Sequence, residues 1–251
     1  LLDEPAADPA VRAQAGYALV DLLRAGGVPA GATEATRLAH DLGWMRFFSF
    51  LGPFDNTGEA GYDALYGPET DGRIDLDASY AGKRVEVAWR AFPQPSFPVG
   101  EEPGLPVGWG GEGLLYPFYG PLRLSAVVRP NSQVCGYLAS WVRVEERSEV
   151  IFSLGAVGAF KLWLDGALVL SREGYRSWAH PDTDRAGVVL EPGWHEVLLK
   201  TCCDAGGWEV YLRTTDRSGG PLPLEHSAHP PRGWRRPASG PTAFTPEPDP
   251  Y

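Results

Sequence analysis

Aromatic side chains in predicted loops are the residues of this sequence best suited to binding chemistry. A flat aromatic ring can stack on the C–H face of a sugar, while polar side chains around it hydrogen-bond the hydroxyl groups. The loop residues that meet this description are Trp109, Tyr116, Tyr119, Arg176, Trp178, His180 and Asp182. They predict a carbohydrate-binding surface. The alternative is that the same rings pin long loops onto a sheet.

Catalytic signatures are much weaker. His195 with Cys202 or Cys203 offers a local arrangement for a cysteine nucleophile and its base. On one strand His195 and Cys203 share a face, but their separation in sequence places them more than about 20 Å apart, beyond hydrogen-bond reach. The sequence contains neither a Gly-x-Ser-x-Gly elbow nor a phosphate-binding glycine loop. We therefore predict a protein that is not an enzyme, although paired carboxylates for glycoside hydrolysis are a spatial feature that the sequence leaves open.

Metal binding is a further option for the carboxylates of predicted loops. Loop carboxylates and carbonyls are the ligands that calcium prefers. The candidate side chains fall in two irregular stretches and are Asp55, Asn56, Asp63, Glu69, Asp182 and Asp184. The favoured interpretation is that Asp55 and Asn56 form side-chain-capped turns. We predict no cofactor, with a structural calcium ion as the alternative. His226 and His229 are interpreted as solvated residues of a proline-rich segment.

Composition narrows the classes of partner. The chain has 251 residues and a formal net charge of −10. A nucleic-acid-binding protein needs a basic face, whereas the basic cluster at 232–236 falls in a proline-rich segment. The same charge balance disfavours anionic membranes and polymers. No apolar run is long enough to predict a transmembrane helix. Carbohydrates and other protein domains therefore remain as partners.

The three cysteines do not form a disulfide framework. Strand alternation directs Cys202 and Cys203 to opposite faces, so one of them is expected to pack as a small apolar side chain. We expect three free thiols. A bridge from Cys135 to one of the neighbouring pair is the alternative, and the redox compartment is left open.

The elements that must position these residues are predominantly β-strands. Residues 153–214 are predicted as one continuous antiparallel sheet, in which Asp165-Gly166 forms a tight hairpin turn because both residues suit positive φ. Further turns are predicted at Pro192-Gly193 and Gly206-Gly207. Other predicted strands cover 44–51, 85–89, 122–128, 134–144 and 150–154. Residues 92–121 are predicted as a long ordered loop, and the break after 44–51 is placed at Gly52-Pro53.

Three segments are predicted along the chain. Residues 1–42 read as a helical hairpin, a remnant of a helical repeat, because their apolar residues share a helical stripe. Residues 43–218 form the β-sandwich, and 219–251 form a proline-rich tether. The chain begins without Met, which predicts a piece of a longer protein or a processed product.

A series of short motifs resembles the galactose-binding-like, carbohydrate-binding-module-like jelly rolls of large bacterial, myxobacterial-type proteins. In those proteins the jelly rolls accompany tetratricopeptide repeats or transglutaminase-like domains. The matching motifs, over roughly 44–218, are 50–56, 61–63, 67–69, 80–83, 87–90, 161–166, 181–184, 193–194, 198–200 and 207–208. The resemblance implies a mainly β, antiparallel two-sheet jelly-roll sandwich, with a short N-terminal helical hairpin before it. It also implies a non-catalytic role and a location in the cell envelope or outside the cell.

Two departures from the pattern of this family bear on any ligand site. Many relatives carry an acidic turn where this chain has Gly155-Ala156-Val157-Gly158, and many carry Asn where it has His195. No ligand or metal site is therefore transferred from the family. We predict a non-catalytic interaction module that recognises carbohydrate. A module for protein–protein or self-association is the first alternative, and a hydrolase with an unfamiliar site is the second.

Overall fold

The computed structural model describes residues 40–92, 122–205 and 207–247. In chain order its strands are β1 (Ser49–Asp55), β2 (Ser79–Ala81), β3 (Glu86–Ala88), β4 (Arg90–Ala91), β5 (Leu122–Arg123), β6 (Val134–Val144), β7 (Ser148–Ala156), β8 (Gly158–Leu164), β9 (Ala167–Arg176), β10 (Asp184–Leu190), β11 (Gly193–Cys203), β12 (Glu209–Thr215), β13 (Glu225–Ser227) and β14 (Thr242–Phe244). The helices are short and comprise α1 (Gly67–Asp71), α2 (Leu124–Val127) and a 3-10 turn at Thr57–Glu59. The described residues contain no helix that is long and apolar enough to cross a membrane.

Two antiparallel sheets form a β-sandwich, which confirms the predicted fold class. The large sheet has the order β4-β1-β6-β11-β8-β9, and β13 pairs with the end of β6 that lies beyond β1. The small sheet has the order β14-β10-β7-β12-β5, and β2 pairs with β3 as a separate ribbon. The predicted helical hairpin at 1–42 and the predicted loop at 92–121 fall almost entirely outside the described residues.

The prediction of one continuous sheet over 153–214 is wrong. The β8–β9 hairpin forms as expected, with Asp165 and Gly166 at φ 48° and 80°. At Pro192-Gly193, however, the chain leaves the small sheet for the large one, and after β11 it returns to the small sheet. Apolar alternation is the same whether the next strand lies alongside or across the core. The sequence pattern therefore could not separate hairpins from crossings between sheets.

The core lies between the two sheets and consists of buried hydrophobic side chains. Alternate residues of the large sheet, such as Leu138 and Leu162, pack against Phe152 and Leu212 of the small sheet. Trp208 is completely buried there and packs edge-on against Phe50. The alternation that predicted the strands is thus the physical origin of this core.

The opposite, outer face of the large sheet is also covered. A second apolar cluster there includes Tyr137, Trp141 and Leu198. Residues 56–81, which we call the cap segment, lie over it and contribute Tyr62 and Tyr66. Buried Asn56 fixes the start of the cap segment, because its side chain donates to the Cys203 carbonyl and accepts from Gly61 N–H. With both faces buried, the central strands lose their polar alternation.

The cysteines differ from the expectation of three free thiols. Cys135 and Cys202 form a disulfide, and they are directly opposed residues of β6 and β11. Cys203 is free and buried. The predicted divergence of Cys202 and Cys203 is correct, since Cys202 lies in the outer-face cluster and Cys203 in the core. The pairing itself depends on strand register, which three cysteines in a sequence do not specify.

Several strand boundaries also need correction. β1 begins at Ser49 and continues through Gly52-Pro53 with a local register shift, so the predicted break is in fact part of the strand. The predicted strand at 122–128 consists of β5 followed by α2. Short apolar runs fit a strand and a buried helical turn equally well, and tertiary packing decides between them.

The described part of 219–251 is not a free tether. β13 pairs with β6, and β14 pairs with β10 in the other sheet. Between these two strands, Trp234 packs edge-on against Trp141 and donates its Nε1–H to the Trp194 carbonyl at 2.9 Å. Proline excludes only the ladder bond of its own nitrogen, so short strands survive between the prolines. This segment therefore contributes one short strand to each of the two sheets.

Candidate ligand-binding surface and buried polar clusters

The most exposed tryptophan in the described residues projects from the loop that joins β9 to β10. Trp178 is 47% exposed. The Arg176 guanidinium lies over its ring, with Cζ 4.9 Å from the ring centroid. The His180 ring lies 5.0 Å from the Trp178 centroid at a tilt of 48°. The surface therefore offers an exposed aromatic ring with a guanidinium and an imidazole in contact with it.

Ion pairs beneath Trp178 hold this loop in place. Asp184, at the start of β10, accepts hydrogen bonds from Arg172 and Arg176, the latter at 2.9 Å. Burial raises the pKa of Asp184, and the hydrogen bond from Arg172 opposes that shift. Asp182, at φ 61°, accepts two hydrogen bonds from Arg213 at 2.7 and 2.6 Å. Bidentate pairs of this kind fix geometry as well as charge.

Four of the predicted site residues therefore lie in one region, and they are Arg176, Trp178, His180 and Asp182. Two of them do not have the predicted role. Trp178 is open to a ligand, whereas Arg176 and Asp182 use their charges within the protein. The backbone carbonyl of His180 accepts the Thr183 hydroxyl at 2.7 Å. Trp109, Tyr116 and Tyr119 lie outside the described residues. The supporting residues that sequence reasoning did not assign to this site are Arg172, Asp184 and Arg213.

The residues considered for calcium are engaged elsewhere. Asp55 contacts Lys83 at 3.0 Å, and Asp63 lies 4.0 Å from Lys161. Glu69 is paired with a buried lysine. Within 40–92, 122–205 and 207–247, no three His, Cys, Asp or Glu side chains gather as metal ligands. The Asp55 carboxylate accepts the Thr57 hydroxyl at 2.8 Å, and the predicted side-chain-capped turn is seen at Asn56, whose Oδ1 accepts from the Gly61 N–H at 3.0 Å.

A buried lysine forms the strongest polar cluster on the outer face of the large sheet. The Lys200 side chain is fully buried, and Nζ donates to Glu69 Oε1 at 2.7 Å and to the carbonyls of Tyr62 and Ala64 at 3.2 and 2.6 Å. Burial lowers the pKa of Lys200, while Glu69 opposes this change. The Tyr137 hydroxyl donates to the same carboxylate oxygen at 2.5 Å. These bonds attach the cap segment to the sheet.

A histidine–aspartate pair closes the end of the β8–β9 hairpin. His195 Nδ1 lies 2.6 Å from Asp165 Oδ2, and Nε2 lies 2.7 Å from the Glu191 carbonyl oxygen. Both neighbours are acceptors, so the doubly protonated imidazolium satisfies both contacts. Burial lowers the pKa of His195, but the bonds to Asp165 and Glu191 outweigh it and leave that pKa raised. Because both ring nitrogens are occupied, neither is available to accept a proton from a nucleophile.

The free thiol is likewise unsuited to nucleophilic chemistry. Cys203 lies in the core, and burial raises its pKa to about 11. A reactive cysteine needs a depressed pKa and access to solvent. The perturbed titratable groups described above therefore form closed structural clusters.

No protein-family model matches this chain. No curated protein matches it with significant similarity. Solved structures match parts of it. A β-glucosidase from Kluyveromyces marxianus is 13% identical over 39% of this chain and 13% of its own, with a TM-score of 0.32. The PA14 domain of the antifreeze protein MpAFP is 18% identical over 38% of this chain and 52% of its own, with a TM-score of 0.31.

A third solved structure is an α-xylosidase from Xanthomonas citri, which is 25% identical over 35% of this chain and 10% of its own, with a TM-score of 0.26. The match with the first of these structures spans only a small part of the glucosidase. At such TM-scores the likeness carries no inference about ligand or activity.

Proposed function

We propose that this chain is a non-catalytic module that binds carbohydrate through the surface centred on Trp178. The observation that carries the proposal is a half-exposed indole whose position is fixed by charged groups behind it. An exposed aromatic side chain that the protein already holds in place can bind a ligand at little cost in conformational entropy. Tryptophan and arginine are also the side chains that contribute most at binding surfaces.

We also propose that the chain has no catalytic role, and the support comes from the buried clusters around Lys200 and His195. Lys200 is enclosed by the cap segment, and both nitrogens of His195 are hydrogen-bonded within the protein. Neither arrangement offers a titratable group beside an open cleft, which an active site requires. Recognition by a rigid surface is the function that these residues support best.

The test is a glycan array and a polysaccharide pull-down with the full chain, with and without calcium. Trp178→Ala is the informative variant, and Leu168→Ala is its control, because Leu168 is similarly exposed at 53% but lies at the other end of β9. We expect a reproducible saccharide signal that Trp178→Ala abolishes and Leu168→Ala retains. Saccharide binding that survives Trp178→Ala would reject this surface, and a blank array with folded protein would reject the function.

Self-association is the second candidate, and it rests on two other exposed side chains. Leu65 of the cap segment and Val85 of the β2–β3 turn are 66% and 69% exposed. Apolar side chains this exposed suit a docking partner such as a second copy. Sedimentation of the wild type and of Leu65→Ser/Val85→Ser tests it. A concentration-dependent dimer that the double variant loses would support this candidate, and a wild-type monomer at every concentration would reject it.

We also propose an oxidising location, in the cell envelope or outside the cell. The support is the disulfide between Cys135 and Cys202, since structural disulfides persist mainly in such compartments. Thiol titration of the protein, denatured without reductant after expression in an oxidising compartment, should find a single thiol per chain. Three thiols would contradict this proposal.

A further inference from the structure

We propose that the Trp178 surface ranks saccharides by charge, binding acidic sugars more tightly than neutral ones and neutral ones more tightly than cationic amino sugars. This inference rests on the proposed function and adds the class of ligand. It follows from the charged side chains beside the ring, of which the sequence predicts only Arg176 as a hydrogen-bonding group for the ligand.

The charges behind Trp178 do not cancel. Arg172 and Arg176 share the single carboxylate of Asp184. Arg213 pairs with Asp182 at 2.6 Å. In the described part of the chain, the two guanidiniums that meet Asp184 therefore outnumber its one carboxylate, which leaves local positive charge beside the ring. The excess is local, because the whole chain carries a net charge of −10.

The geometry of Arg176 transmits that charge to the ligand position. Its guanidinium lies over the Trp178 ring, and the residue remains 47% exposed, so a ligand would contact the exposed part of the ring with Arg176 close by. A cation on one face of an aromatic ring draws on the negative potential of the π-system. The exposed part of the ring is then a poorer site for a second cation and a better one for a neutral or anionic group.

The size of the effect follows from the distance. The Arg176 Cζ lies 4.9 Å from the ring centroid, and a stacked sugar adds about 3.5 Å. At roughly 8 Å, each unit of ligand charge changes the affinity by about two-fold in a water-like medium and by about thirty-fold at the effective dielectric of a protein surface. Salt weakens this effect, because the Debye length at physiological ionic strength is about 8 Å.

The first experiment measures the charge at the ring without any saccharide. Fluorescence quenching by iodide and by caesium is compared at constant ionic strength, and the signal of Trp178 is obtained by difference from Trp178→Phe. We expect stronger quenching by iodide, even though the chain is acidic overall. Arg176→Gln should narrow the difference and Arg176→Lys should retain it, while Arg143→Gln, which removes a charge on β6, serves as the control. Equal quenching, or stronger quenching by caesium, would overturn the inference.

The second experiment measures the ranking with one sugar scaffold. Oligosaccharides of galacturonic acid, galactose and galactosamine are titrated into the wild type, Arg176→Gln and Trp178→Ala at low salt. We expect affinity to fall in that order in the wild type and the steps to shrink in Arg176→Gln. Binding that requires Trp178 but shows no ranking would overturn the inference and leave the proposed function standing. If none of these or of the arrayed saccharides binds through Trp178, the proposed function fails and the ranking fails with it.

Discussion

Replacing Lys200 with methionine should destabilise the protein severely, whereas the same change at Lys161 should not. The two lysines are direct partners across β11 and β8 and lie on the same outer face. Both donate to the Tyr62 carbonyl, at 3.2 and 2.8 Å respectively. They differ in burial, since the Lys200 side chain is fully buried and that of Lys161 is 16% exposed.

The expected magnitude comes from the partners that each change leaves behind. The Glu69 side chain is only 8% exposed. In Lys200→Met its carboxylate keeps the hydrogen bond from the Tyr137 hydroxyl but loses its buried cationic partner. Breaking a buried ion pair in this way costs about 3 to 5 kcal/mol. Lys161 faces Asp63, which is 83% exposed, at 4.0 Å. An exposed pair of this kind contributes less than about 1 kcal/mol.

Urea unfolding followed by tryptophan fluorescence is the assay, with the m-value as a check that the extent of unfolding is unchanged. Glu69→Gln completes a double-mutant cycle. Because the two side chains share one network, their coupling should be about 1 to 3 kcal/mol. If Lys200→Met and Lys161→Met lower the free energy of unfolding by the same amount within about 0.5 kcal/mol, or if the coupling energy is near zero, the Lys200–Glu69 pair does not anchor the cap segment.

Three further results are expected. The pKa of His195 is raised in the folded protein, so its stabilising contribution is complete below about pH 6.5 and is lost as the pH rises through the folded-state pKa. In the wild type, this loss lowers the free energy of unfolding above about pH 6.5, and His195→Gln should remove that part of the pH dependence. An unchanged pH dependence in the variant would contradict the expectation. Replacing both Cys135 and Cys202 with alanine should cost about 4 kcal/mol by the loop-closure relation, given their separation of 67 residues, and a cost below about 1 kcal/mol in urea unfolding would argue against the bridge. Gly187→Ala should release β14, because a Cβ at residue 187 would overlap the Phe244 ring of that strand, whereas no described atom lies within 4 Å of a Cβ at Gly174. Proteolysis of the C-terminal segment should therefore increase in Gly187→Ala and not in Gly174→Ala. Equal resistance of the two variants would contradict this packing.

Most strands can be predicted from the sequence, because apolar alternation and turn residues are local properties. β6 was predicted to the residue, and the Asp165-Gly166 turn has the positive φ angles that its residue types demand. Loop aromatics and nearby polar side chains also indicated the surface around Trp178. The periodicity of the sequence thus determined a β-sandwich and placed Trp178 in a loop.

The tertiary structure decided which strands are neighbours and which charges meet. Cys135 and Cys202 pair because β6 and β11 are adjacent in one register, and Lys200 meets Glu69 across 131 residues of chain. Arg176 lies behind Trp178 because Asp184 holds it there. Such contacts join residues on separate elements, so their distances depend on how the sheets and the cap segment pack. Residue types and spacing alone carry no information about those distances, and the role of each charged side chain follows from them.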